Sequence, residues 1–82
     1  MHYRIAIPDA VKAQLRALVD PARQEIGYKL FLLQENLLGD VKKLKGSRNQ
    51  YRLRVGNYRV LFELEADTVT VYDLGHRKDI YK

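Results

Sequence analysis

The chain has 82 residues, no cysteine, two histidines and a formal net charge of +5. That length allows one domain over residues 1–82 with one small core, burying roughly 60–65% of the surface of the unfolded chain. Without cysteine there is no disulfide framework or thiolate metal site, and His2 and His76 lie far apart in the chain, so no metal and no other cofactor is expected.

No apolar run is long enough to span a bilayer, and the N-terminus lacks the apolar stretch of a signal peptide, which predicts a cytoplasmic protein. The charge is unevenly spread. Residues 1–40 hold five basic and five acidic side chains, whereas residues 41–82 hold ten basic and five acidic ones. A basic second half implies an anionic partner, of which nucleic acid is the commonest for a basic strand face.

Residues 2–7 alternate, with Tyr3, Ile5 and Ile7 on one side, and predict a first strand. Pro8-Asp9 breaks it, and Asp9 is placed to cap a helix over about residues 10–19, where Val11, Leu15 and Leu18 recur at helical spacing. Asp20-Pro21 repeats the signal, and Ile26, Leu30, Leu33 and Leu37 mark a longer amphipathic helix from 21 to about 38. Gly39 suits the position just past its end, and the helical leucines with Phe31 are expected in the core. Residues 40–49 carry Lys42, Lys43, Lys45 and Arg48 without periodicity and read as a solvated loop.

The next stretch, QYRLRVGNYRVLF at residues 50–62, is the most informative in the chain. Tyr51, Leu53 and Val55 alternate with Arg52 and Arg54, and after Gly56-Asn57 the alternation resumes with Tyr58, Val60 and Phe62. Gly-Asn fits a two-residue type II′ hairpin turn, since glycine accepts a positive φ at its first position. Pairing outward from that turn sets Val55 opposite Tyr58, Leu53 opposite Val60 and Tyr51 opposite Phe62 on an apolar face. The other face sets Arg54 across from Arg59 and Arg52 across from Leu61. Facing like charges are mildly destabilising, and no acid occurs from Val41 to Phe62. Two readings compete, an anion-binding face and a merely exposed sheet face, and the first is preferred. Ala66-Asp67 makes a further turn, and residues 68–74 (TVTVYDL) predict a strand flanked on both sides. The expected architecture is α+β, in the order β-α-α-β-β-β, with a helical hairpin packed on a mostly antiparallel four-stranded sheet.

The segment LKGSRNQYRLRVGNYRVLFEL, followed by VYDLGHRKDIYK at the end, resembles the RelE/ParE superfamily of type II toxins over essentially the whole chain. The resemblance implies a toxin held inactive by a cognate antitoxin. In the RelE-like branch it implies a ribosome-dependent endoribonuclease acting on mRNA; in the ParE-like branch, which has the same fold, an inhibitor of DNA gyrase. The RelE-like pattern assigns site roles to Arg52 and Arg54 on the first hairpin strand, Arg59 after the turn, Arg77 after the last strand and Tyr81 near the terminus. The two strand positions are often lysine in relatives, the tail here is shorter, and His76 stands where some relatives carry another basic residue.

On this reading the RNA 2′-OH attacks the neighbouring phosphate without a metal. Arg54 and Arg59 stabilise the extra charge on phosphorus, and Arg52 positions the backbone. Arginine is a poor base, so His76, of the side-chain type that ordinarily titrates nearest neutrality, is the candidate proton acceptor, its alternative being a surface histidine at a strand end. Arg77 either hydrogen-bonds the leaving oxygen or pairs with Asp73 or Asp79. Tyr81 either stacks on a splayed base or covers the core edge. Lys42, Lys43, Lys45 and Arg48 are candidate RNA-binding residues.

Overall fold

A computed structural model describes residues 2–80. The elements are β1 (Arg4–Ala6), α1 (Asp9–Arg16), α2 (Asp20–Asn36), β2 (Asp40–Lys43), β3 (Gln50–Val55), β4 (Tyr58–Glu65), β5 (Thr68–His76) and α3 (Arg77–Ile80). The strands form one sheet in the order β1-β5-β4-β3-β2, with β1 parallel to β5 and every other pair antiparallel. The α+β class is as expected, and the expected β-α-α-β-β-β order gains two elements, the short helix α3 in the tail and a fifth strand. The added strand is β2, which lies within the stretch read as a loop. Its four residues are too few for the alternation of exposed Asp40 and Lys42 with half-buried Val41 to stand out, and pairing with β3 orders them.

The hairpin register follows the alternation throughout: Val55 faces Tyr58, Leu53 faces Val60, and Tyr51 faces Phe62. Gly56 has φ 59 while Asn57 has no positive φ, the combination a type II′ turn requires. The apolar face packs under α1 and α2. Leu53, Val60, Phe62, Val69 and Val71 from the sheet meet Ile26 and Leu33 from α2, all fully buried. Tyr51 stacks on Phe62 with ring centroids 5.5 Å apart. Tyr3, Ile5 and Ile7 turn one side of β1 toward this core, as their alternation predicts.

The helix ends depart from expectation. Pro8 and Val19 occupy the N-cap positions without a side-chain bond, so Asp9 and Asp20 are first-turn residues. There their charge complements the helix dipole, and Asp20 also pairs with Arg23. At the far end of α2 the left-handed residue is Leu37 (φ 54), whose N–H bonds to the carbonyl of Leu33 while that of Leu38 bonds to Leu32. Gly39 lies two residues on, at φ 128, where a Cβ would sit 3.0 Å from Leu53 Cδ1. Phe31, placed with the core by helical spacing, is 54% exposed because α2 turns its Ile26, Leu30 and Leu33 stripe to the sheet. Leu38 is exposed as well. Among the described residues no helix is long and apolar enough to cross a membrane.

This burial pattern makes a direct forecast for stability. Leu53→Ala removes a fully buried side chain and should cost about 2–5 kcal/mol in urea unfolding. Phe31→Ser should stay within about 0.5 kcal/mol of the parent, the range for surface substitutions.

Candidate nucleic-acid interface

Strand parity carries the basic side chains to the sheet face away from the helices. Arg52 and Arg54 alternate with buried Leu53 and Val55, and Arg59 stands directly opposite Arg54. Adjacent β2 adds Lys42 opposite Arg52. Together Lys42, Lys43, Lys45, Arg52, Arg54 and Arg59 line an open cleft of about 620 Å³, with Leu44 between the lysines. A neighbouring hollow of about 570 Å³ around the hairpin tip brings Arg54 and Arg59 together with Arg77, Lys29, Glu25 and Asp40.

The two facing arginines avoid each other by leaning on different partners. The Arg54 Nε lies 2.5 Å from Asp40 Oδ2, at the start of β2. Arg59 folds back over the turn, where its Nη1 donates to the carbonyls of Gly56 and Tyr58, each at 2.9 Å. The Arg52 side chain is 15% exposed, against 55% for Arg54, and its Nη2 lies 4.0 Å from Asp40 Oδ1. Guanidinium groups fixed in this way present forked donors that match phosphate oxygens.

The remaining candidates fall in different places. Arg77 opens α3, and its backbone N–H donates to the carbonyl of Asn57 at 2.8 Å, which ties the tail to the hairpin tip. His76 pairs with Tyr58 and therefore shares the helix-bearing face, with its ring edge-on to Tyr58 at 5.5 Å. Its Nδ1 accepts the N–H of Lys78 at 3.1 Å, so the ring caps the first turn of α3. The structure thus joins Arg77 to the arginine cluster and leaves His76 outside it, and the reason is strand parity. Arg48 is exposed in the bend before β3 and does not line the cleft. Tyr81 lies outside the described residues. No group of three or more histidine, aspartate or glutamate side chains among the described residues could hold a metal ion.

Two residues of this face escape a reading of the sequence alone. Asp40 reads as part of a loop, and only its register opposite Arg54 reveals the ion pair. Tyr72 occupies a bulge: Leu61 pairs with Asp73 and Phe62 with Val71, so Tyr72 has no partner. The extra residue lets Val71 and Leu74 both enter the core and turns Tyr72 outward. Burial, then the charges of Glu63 and Asp73, push its phenol above the ordinary 10.0.

Comparison with known proteins agrees with this architecture. A family model described as ParE toxin of type II toxin-antitoxin system, parDE, matches residues 5–81. Toxin RelE3 of Methanocaldococcus jannaschii is 52% identical over 75 residues, which cover 92% of this chain and 78% of that protein. The chain is a RelE-like member of the RelE/ParE superfamily of type II toxins. Its fold matches a chain of the crystal structure of a RelB-RelE antitoxin-toxin complex from Methanococcus jannaschii, with TM-score 0.79 and 34% identity over 93% of this chain and 94% of that one. A chain of the archaeal RelE-RelB complex from Pyrococcus horikoshii matches with TM-score 0.78 and 26% identity, covering 94% and 97%. The RelE-like toxin therefore shares its sheet, helices and hairpin with relatives solved alongside an antitoxin.

The raised pKa of Tyr72 gives a pH test of the bulge. Folding favours its neutral phenol, so its contribution to stability is complete below about pH 10 and is lost as pH rises through the folded-state value. Unfolding free energies measured across that range should fall faster for the parent than for Tyr72→Phe.

Proposed function

We propose that this RelE-like toxin is a ribosome-dependent mRNA endoribonuclease that works in the cytoplasm and blocks translation. The observation that carries the reading is the convergence of Arg54, Arg59 and Arg77 around one hairpin tip, beside a cleft that Arg52 lines together with Lys42, Lys43 and Lys45. The lysines hold the message backbone and Arg52 sets its position. Arg54 and Arg59 contact the non-bridging oxygens of the scissile phosphate. As the 2′-OH oxygen attacks phosphorus, negative charge accumulates on those oxygens, and the two guanidinium groups stabilise it. The P–O5′ bond then breaks, leaving a 2′,3′-cyclic phosphate and a 5′-hydroxyl. Arg77 hydrogen-bonds the departing oxygen, and Tyr81 stacks on a base splayed from the message.

Proton transfer fits this face poorly if His76 is the base, because its ring lies against Tyr58 and its Nδ1 is engaged by Lys78. Positioning and electrostatic stabilisation then supply the acceleration, and groups that the ribosome and its message bring to the open cleft take the 2′-OH proton and deliver one to the departing O5′. Each donor aimed at developing charge contributes about 3–4 kcal/mol. Arg54→Ala and Arg59→Ala should therefore slow single-turnover cleavage on programmed ribosomes by about 10²-fold or more while remaining folded. His76→Gln should cleave near the parent rate with the same pH profile. Full cleavage by both arginine variants would overturn the assignment of this face. Loss of DNA supercoiling with intact translation would instead favour the gyrase-inhibiting alternative, the activity associated with the ParE-like branch.

The same reading includes a cognate antitoxin. Relatives with this fold are solved as RelB-RelE complexes. Here α2 exposes Phe31 beside a groove lined by Ile5, Ile7, Leu15 and Leu30. An amphipathic antitoxin segment would cover apolar surface of this kind and set acids near the arginines. Because such a partner binds only the folded toxin, saturating amounts should raise its melting midpoint. An unchanged midpoint with the co-encoded partner counts against it.

A further inference from the structure

Two acids, Glu25 and Asp40, stand among the cations around the hairpin tip, and Asp40 forms ion pairs with two of the arginines. Asp40 sits at the first position of β2, in register with Arg54, and its two carboxylate oxygens are directed to Arg54 and Arg52. An exposed ion pair of this kind adds little to stability. A negative charge at the edge of an RNA-binding cleft also opposes the binding of phosphate. Neither stability nor affinity accounts for an acid in this position, whereas orientation does.

We infer that Asp40 is a positioning residue that holds the Arg54 guanidinium in the orientation needed at the scissile phosphate. The inference rests on the endoribonuclease reading given above. Arg54 is 55% exposed on its side chain, and a long exposed arginine otherwise samples many rotamers. Contact through Nε fixes the plane of the group and leaves the N–H donors of Nη1 and Nη2 for two phosphate oxygens. Arg59 is held in a comparable way by the carbonyls of the turn, so both charge-stabilising groups stand ready before RNA arrives. Asp40 thereby trades some attraction for RNA against a fixed geometry at the reacting phosphate.

The two effects have opposite signs, which separates them experimentally. Asp40→Ala and Asp40→Asn are compared with the parent in single-turnover cleavage on programmed ribosomes, titrated with toxin to saturation. The inference expects the maximal rate of Asp40→Ala to fall by about 10–100-fold, the scale of a small misplacement at a reacting centre. The half-saturating concentration should stay level or drop, because one negative charge has left the cleft. Asp40→Asn keeps an oxygen that can accept from Nε and should fall less.

A maximal rate that is unchanged or raised in both variants would overturn the inference. If Asp40→Ala fails to fold, the same split for Asp40→Asn decides it. If the parent toxin cleaves no message at all, the endoribonuclease reading fails on its own. The positioning claim is then judged from the Arg54 Nε–H resonance in nitrogen-edited NMR. Slow exchange with water in the parent and fast exchange in Asp40→Ala support it, and equal exchange overturns it.

Discussion

Gly56 and Asn57 join β3 to β4, and a slip of one residue in their pairing would turn one strand over relative to the other. A slipped β3, for example, would send Leu53 and Val55 to solvent and carry Arg52 and Arg54 into the space beneath α1 and α2. Burying unpaired guanidinium groups there is prohibitive, so the register is fixed from both sides of the sheet at once. The turn supplies the starting point, because glycine at φ 59 carries no Cβ penalty. The constraint that builds the core therefore also builds the basic face.

Concentrating cations on one small surface has an electrostatic cost, and the structure spreads it over several local arrangements. Arg54 leans toward β2 and Asp40, Arg59 leans over the turn onto two carbonyls, and Arg52 is tucked against the edge strand. The groups diverge although their backbones are opposite. Edge strand β2 matters beyond its four residues: it brings in Asp40 and it extends the cleft with Lys42 and Lys43. The end of the chain joins the same region through the bond from Arg77 to Asn57, while His76 caps the short helix that follows. A histidine that suits proton transfer by chemistry alone thus serves as a helix cap on the other face.

The bulge in β5 shows how one extra residue changes what a strand presents. Val71 and Leu74 are an odd number of positions apart, and a regular strand would send one of them outward. Leaving Tyr72 unpaired allows both into the core and sets a tyrosine on the exposed side, near Glu63 and Asp73. The exposed side of the sheet is thereby graded, basic around the hairpin tip and acidic toward Glu63 and Glu65.

By itself, the order of residues determined the α+β class, the two helices and the complete register of the central hairpin, because alternation at period two and recurrence at helical spacing are local signals. It also determined that Arg52, Arg54 and Arg59 share a face, since parity on either side of a two-residue turn leaves no other arrangement. Tertiary structure decided what depends on partners distant in the chain. Four residues of β2 become a strand only by pairing with β3, so the fifth strand and the ion pairs of Asp40 were illegible in a short polar stretch. Phe31 lies at a helical spacing compatible with burial, and only the rotation of α2 against the sheet turned it to solvent. The side taken by His76 required the bulge at Tyr72, because an unpaired residue reverses the parity of everything that follows it. Local periodicity reads the elements; the faces of a bulged strand and the neighbours of an edge are settled only by packing.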